Sequence, residues 1–351
     1  MEESLSDLLV EYELAARATL TPAAFDYIAA GAGDELSLEE SRAAWRRYRL
    51  RPRVFRGGTT PDLATDVLGT QLAMPLMVAP TAYQQVAHTG GEVEMARGVS
   101  AAGGLLVVTT RATRVLEEIT AELHGPWWYQ VYVVKDRRLT EALVRRAAGL
   151  GASALVLTVD TPYIGFKRRG HFAPVTLEQH LVNFGAHLAP GAAFEEVTAG
   201  IDQDASIRLE TIAWLRDIAE LPVLVKGVLR GDDAVACLDA GAAGVVVSNH
   251  GGRQLDRAVA AAVALPEIVA AVHGRAPILV DGGIVSGTDV FVALALGASA
   301  AMVGRPLLWG LAAGGAPGVQ RVLEGYRNEL GHAMGLAGVA AIGDFTRDLV
   351  A

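Results

Sequence analysis

Short apolar runs recur along the chain, and most close on polar or glycine residues. They are LAMPLMVAP from Leu72, GGLLVVTT from Gly103, PWWYQVYV from Pro126, SALVLTVD from Ser153, LPVLVKGV from Leu221, GAAGVVVSNH from Gly241, APILVDGG from Ala276 and ASAAMVGRP from Ala298. Between them lie stretches with helical spacing, such as EVEMARGVSAAG, RLTEALVRRAAGLGA, DDAVACLDAGA and GTDVFVALALGA. Runs that are apolar throughout suit strands buried on both faces. Their alternation with amphipathic helices predicts an α/β fold with a parallel sheet under helices. Eight such units predict a closed (β/α)8 TIM barrel rather than an open doubly wound sheet. No run is followed by G-x-G-x-x-G with a distal acidic residue, which argues further against the open sheet.

Two stretches fall outside the repeat. Residues 1–70 precede the first run and read as helices plus a crossing segment. About residues 165–206 form a long insert after strand 4, read as an active-site lid. Residues 1–351 read as a single barrel domain, and the end, from about Pro317, as one or two helices.

Composition narrows the function classes. Apolar residues make up 51% of the chain and aromatics 6%, which suits a close-packed α/β core. A net charge of −9 without a basic block argues against nucleic-acid binding. The lone Cys237 excludes an internal disulfide and a cysteine-rich metal site, and no histidine pair has zinc-ligand spacing. No metal is expected. The start, MEESLSDLLVEYEL, does not read as a signal peptide, and no uncharged apolar run reaches spanning length. A cytoplasmic location without membrane contact is expected.

A barrel of this kind places its active site at the C-terminal ends of the strands. The residues there are Pro80-Thr81-Ala82, Thr109-Thr110-Arg111, Gln130 and Tyr132, Thr158 and Asp160, Lys226, Ser248-Asn249-His250 with Arg253, Asp281-Gly282-Gly283, and Gly304-Arg305. Singly, each has an ordinary reading: a loop cap for Asp160, a salt bridge to Asp281 for Lys226, tight turns for the glycines. Together they form a ring of hydrogen-bonding groups where packing alone would place small or branched apolar ones. DGG and VGRP end strands seven and eight, the usual phosphate site of the fold, where glycine N–H groups approach an anion and Arg305 adds charge. In VSNHGGRQLD, His250 can take a proton near neutral pH and Arg253 can grip a carboxylate bidentately. Asp160 can orient the imidazole. A base beside a carboxylate clamp is what oxidation of a 2-hydroxy acid requires. Trp127, Trp128, Trp214 and Cys237 read as packing.

At these residues the chain resembles the FMN-dependent 2-hydroxy-acid oxidase and dehydrogenase family, which includes glycolate, lactate and mandelate or hydroxymandelate oxidases. The motifs are FDYIAAGAGDE, RPRV, MPLMVAPTA, QVYVVKDR, LTVDTP, LPVLVKGV, GVVVSNHGGRQLD, DGGIVSGTDVFVALALGA and VGRP, from about Phe25 to beyond Trp309. The resemblance implies His250 as catalytic base, Asp160 as its partner, and Arg253 as carboxylate clamp. It implies Tyr27 and Tyr132 as substrate contacts. Pro80, Thr81, Ala82, Thr109, Gln130, Thr158, Lys226 and Ser248 are implied at the flavin ring and ribityl chain. Asp281, Gly282, Gly283, Gly304 and Arg305 are implied at the ribityl and phosphate end. Three positions depart from the family pattern. Val285 stands where an arginine usually meets the phosphate. Lys167 stands where a second carboxylate arginine usually lies, with Arg168 as its stand-in. Arg111 stands where some members carry a large aromatic. Tyr83, Arg111, Tyr163 and Phe166 are expected to line the pocket, favouring an aryl substrate such as mandelate or 4-hydroxymandelate. Dioxygen is the expected electron acceptor, giving hydrogen peroxide, and a homotetramer the expected assembly. A dehydrogenase passing electrons to a quinone, a non-redox FMN isomerase of prenyl diphosphates, and a fold retained for binding alone are the competing readings.

Overall fold

The computed structural model describes residues 4–58, 60–185 and 199–351. Three helices come first: α1 (Leu5–Thr19), α2 (Pro22–Ala29) and α3 (Leu36–Trp45). Ser4 and Thr21 cap the first two by accepting from the amides of Asp7 and Ala24, and Pro22 opens α2 where a missing N–H costs nothing. A two-stranded antiparallel hairpin follows, β1 (Thr65–Val67) and β2 (Thr70–Leu72). This corrects the reading of residues 1–70 as helices and a crossing segment. The strands are only three residues each, too short for a periodic signal, and the turn uses Leu68 as well as Gly69 at positive φ.

Eight parallel strands close the barrel: β3 (Leu76–Val78), β4 (Leu105–Thr109), β5 (Trp127–Val131), β6 (Leu155–Thr158), β7 (Val223–Val228), β8 (Gly244–Val247), β9 (Ile278–Val280) and β10 (Ala300–Val303), the last pairing with β3. Between and after them run α4 (Gly91–Ala101), α5 (Leu116–Thr120), α6 (Arg137–Gly149), α7 (Leu177–Leu181), α8 (Glu210–Ala219), α9 (Gly231–Asp239), α10 (Ala261–Val272), α11 (Gly287–Ala295) and α12 (Arg305–Ala337). Helix α12 begins directly after the last strand, earlier than the Pro317 boundary, and bends at Gly315, whose φ is 57°.

Strand parity divides the core in two. Leu76, Val78, Leu106, Val108, Val225, Val245 and Val280 face outward to the helices, in one large cluster. Met77, Leu105, Val107, Trp128, Val156, Leu224, Val246, Leu279 and Met302 face inward and fill the barrel. Val67 and Leu72 of the hairpin join this inner cluster and close its floor. The barrel is therefore plugged at the bottom and open only at the C-terminal ends of the strands.

Of the insert at residues 165–206, residues 186–198 lie outside the described residues. The described flanks lie against the barrel top: Gly33 pairs with Lys167, and Val134 with Gln203, in isolated β-bridges. Among the described residues no helix is long and apolar enough to cross a membrane.

Candidate active site

Following the inward parity of each strand by one more step leads from apolar to polar residues, or to glycine on the last strand. Met77 and Ala79 lead to Thr81, Val107 to Thr109, Trp128 to Gln130, Val156 to Thr158, Leu224 to Lys226, Val246 to Ser248, Leu279 to Asp281 and Met302 to Gly304. This layer, with the loops above it, lines a cavity of about 730 Å³, a size that suits a small cofactor plus a substrate. Pro80, Thr81, Ala82, Thr109, Gln130, Thr158, Lys226, Asp281, Gly282, Gly283, Gly304 and Arg305 all line it. Ser248 does not. It is fully buried behind the lining, where its Oγ accepts from Lys226 Nζ (2.8 Å) and from the His250 amide (3.0 Å). Ser248 thus braces two other site residues, Lys226 and His250.

His250 Nδ1 lies 2.9 Å from Asp160 Oδ1. That hydrogen bond fixes the proton on Nδ1 and leaves Nε2, on a ring that lines the cavity, as the free basic atom. Asp160 itself lies behind the ring. Burial raises its carboxyl pKa, but the charge and hydrogen bond of His250, and then the charge of Lys226, outweigh burial and hold it below its ordinary value. Lys226 Nζ forms a 2.9 Å ion pair with Asp281 Oδ2, the salt bridge that was its ordinary reading. Burial lowers the ammonium, but Asp281 and then Asp160 more than offset it, so it stays charged. The cation nevertheless remains on the cavity wall.

A cluster of positive charge occupies one side. Arg253 donates to the carbonyls of Tyr27 (2.8 Å), Ile28 (3.1 Å) and Ala30 (2.8 Å), and lies 5.3 Å above the Tyr27 ring. Arg305, the first residue of α12, donates to the same Ile28 carbonyl at 2.9 Å. Burial, then Arg253 and Arg42, push its guanidinium down. Lys167 lines the cavity at 8% exposure, and burial followed by Arg253 and Arg305 lowers its ammonium to about 8. Arg168, in contrast, is exposed and pairs with Asp34. It does not line the cavity, whereas Lys167 does. Adjacent positions on an extended segment face opposite ways, and only one of the pair can reach the site. Val285 lines the cavity and brings no charge. Sequence reasoning missed Arg42, which also lines the cavity. Helix α3 is pinned there because Trp45 Nε1 donates to the Gly282 carbonyl (2.8 Å) and Asn249 Nδ2 to Ser41 Oγ (2.9 Å). No local pattern in RAAWRR distinguishes Arg42 from its neighbours.

Tyr27, Tyr132, Tyr83 and Arg111 also line the cavity, and burial raises the phenols of all three tyrosines. Tyr163 lines it as well, but Phe166 is exposed and turned away, correcting its expected place, while Phe172 contributes instead. His180 of α7, read in the sequence only as a histidine without metal spacing, reaches Tyr83 and Arg111 here.

The residues fit FMN. Asp281 Oδ1 is buried without a hydrogen-bond partner, as an acceptor awaiting a ligand hydroxyl would be. Gly283, at φ 80°, sits so close to α3 that a Cβ would fall 2.1 Å from the Ser41 carbonyl oxygen. The amide-rich turn beside it faces a helix N-terminus and a group of cations whose mutual repulsion an anion would relieve.

Comparison with known proteins agrees with this. A family model described as FMN-dependent dehydrogenase matches residues 16–351. The L-lactate oxidase of Nostoc sp. strain PCC 7120 is 44% identical over 349 residues, covering 96% of this chain and 95% of that protein. The glycolate oxidase of Spinacia oleracea is 42% identical over 352 residues, covering 97% and 94%. Among solved structures, mandelate oxidase superposes with a TM-score of 0.88 at 42% identity, covering 100% of this chain and 98% of that one. An active chimera of (S)-mandelate dehydrogenase gives 0.92 at 32% identity, covering 98% of each. With a family match over nearly the whole chain and relatives above 40% identity end to end, this chain belongs to the FMN-dependent dehydrogenase family.

Proposed function

We propose that the protein oxidises an (S)-2-hydroxy acid to its 2-oxo acid, with FMN as cofactor and dioxygen as the final acceptor, giving hydrogen peroxide. The observation that carries this reading is the His250–Asp160 pair, which leaves imidazole Nε2 free on a ring that lines the same cavity as Arg253. FMN, when bound, would supply a two-electron acceptor for oxidation at the substrate α-carbon, one that dioxygen can reoxidise. Thr81, Ala82, Thr109, Gln130, Thr158 and Lys226 would hold its ring side, and Asp281, Gly282, Gly283, Gly304 and Arg305 its ribityl and phosphate side. Arg253 and Lys167 hold the substrate carboxylate, and Tyr27 and Tyr132 place the substrate against them. His250 Nε2 accepts the hydroxyl proton as the α-carbon is oxidised, and Asp160 stabilises the imidazolium that results. The aromatic side chains around the cavity mouth support an aryl substrate such as mandelate or 4-hydroxymandelate.

Dehydrogenation with a quinone as acceptor is the second reading, favoured by the likeness to the (S)-mandelate dehydrogenase chimera. Holoenzyme mixed anaerobically with (S)-mandelate or L-lactate should lose its flavin absorbance, and air should restore it with one peroxide per turnover. Bleaching without peroxide on reoxidation selects the dehydrogenase. A flavin that no 2-hydroxy acid bleaches rejects the proposal. A cytoplasmic homotetramer belongs to the same proposal. Exposed Val54, Phe55 and Leu336 lie on either side of the Arg53–Ala337 backbone hydrogen bond and support self-association.

A further inference from the structure

Arg111 is 8% exposed and lines the cavity, yet among the described residues no carboxylate pairs with it. Its guanidinium donates to the Ile201 carbonyl, meets His180 Nε2 at 3.3 Å and lies over the Phe184 ring. Since arginine carries five N–H donors, these contacts leave some over.

The neighbouring groups are oriented by that charge. Arginine can only donate, so His180 Nε2 accepts. The neutral ring then carries its proton on Nδ1 and donates to Tyr83 Oη, 2.9 Å away. Burial, and after it Arg111, lower the His180 pKa to about 4, so the ring is neutral at physiological pH. Tyr83 Oη is already an acceptor in this arrangement, and its own O–H proton is left for a ligand.

These groups end a continuous wall. Arg253 lies over Tyr27, Tyr27 meets Tyr83 edge-on at 6.3 Å, and Tyr83 stacks on His180 at 5.6 Å beside Arg111. The wall has a cation at each end and aromatic surface between. A 2-hydroxy acid gripped at Arg253 would lay its side chain along Tyr27 and Tyr83 and end at Arg111.

Resting on the proposed oxidation of a 2-hydroxy acid, and narrowing its side chain beyond the monoacids mandelate and 4-hydroxymandelate, we infer that Arg111 selects substrates, and that the side chain of the natural 2-hydroxy acid ends in a second carboxylate. Arg111 receives that carboxylate, and the Tyr83 hydroxyl donates to it.

Matched pairs test this on the holoenzyme: 4-carboxymandelate against mandelate, and 2-hydroxyglutarate against 2-hydroxypentanoate, each followed by anaerobic flavin reduction. The diacid is expected to lead in kcat/KM by roughly tenfold or more in at least one pair, as a desolvated arginine–carboxylate contact requires. Arg111→Gln should shrink that diacid-to-monoacid ratio by a similar factor, whereas a residue that only anchors the insert would lower both and keep the ratio. Should the variant not fold, perturbation of the wild-type flavin spectrum by glutarate against pentanoate reads the same preference without turnover. Monoacids preferred in both pairs, or a ratio unmoved by the substitution, overturn the inference while the proposed function stands. No reduction by any acid overturns the function itself.

Discussion

His250 occupies the left-handed backbone region, with φ at 58°, which costs a non-glycine residue about 1–3 kcal/mol. The surroundings hold it there: its amide donates to Ser248 Oγ, its ring to Asp160, and Gly251 and Gly252 continue at positive φ behind it. Strain at this point serves to present Nε2 to the cavity. His250→Ala should therefore retain FMN but slow anaerobic flavin reduction by at least ~10²–10⁴, the usual worth of a general base. Normal reduction in this variant would end the assignment. Lys167 makes a pH prediction at the same scale. Its free-enzyme pKa is lowered to about 8 from an ordinary 10.5 by burial and by Arg253 and Arg305. An anion bound beside it raises that value, so the complex keeps its proton to higher pH than the free enzyme. Affinity for a non-reactive carboxylate should be full below pH 8 and fall as pH rises through about 8, by up to roughly tenfold per unit. Titrating the flavin spectrum with the carboxylate at several pH values checks this, and Lys167→Gln should flatten the profile.

At the scale of elements, strand β7 and the segment after β6 meet at Gly227. The register between β7 and β8 shifts there, between Lys226 and Val228. Gly227 has φ 108°, and a Cβ on it would lie 2.6 Å from Asp160 Cβ and Cγ. Gly227→Ala should lower stability by about 1–3 kcal/mol and displace Asp160, so flavin reduction should slow, as is also expected of Asp160→Asn. Thermal denaturation and stopped-flow reduction separate the two effects, and an unchanged reduction rate would show that Asp160 tolerates the displacement. The capping box TLEQ, from Thr176 to Gln179, announces α7 in the sequence. Nothing local announces that the helix returns over Arg111, because that docking depends on the path of the chain on both sides.

Across the whole molecule, the cations around Arg305 repel one another until an anion joins them. Occupancy of the cavity should then be written into global stability. With FMN at a hundred times its dissociation constant, unfolding should cost about 2.7 kcal/mol more than in the apoprotein, and Arg305→Ala should weaken FMN binding at least roughly tenfold, since a buried charged hydrogen bond is lost. Titration of apoprotein with FMN, followed by flavin fluorescence and by Tm, measures both. A Tm independent of FMN would show that the folded protein does not bind the cofactor.

The barrel was legible from sequence because its signal is local and repeated: each strand is an apolar run and each helix an amphipathic one. So was most of the polar ring, since strand parity carries the inward face one step past each apolar run, to Thr109, Gln130, Thr158, Lys226 and Asp281. The sequence also brought His250 and Arg253 together, three residues apart in one loop. It could not say that Ser248 braces Lys226 and His250, that Lys167 rather than Arg168 reaches the cavity, or that Arg42 and His180 join it. Those outcomes depend on contacts between segments far apart in the chain, where a half-turn of backbone decides which neighbour faces the site. Parity and periodicity act over a few residues and can be read from the chain itself. The meeting of α3, the insert and the barrel rim is decided only when the whole fold closes.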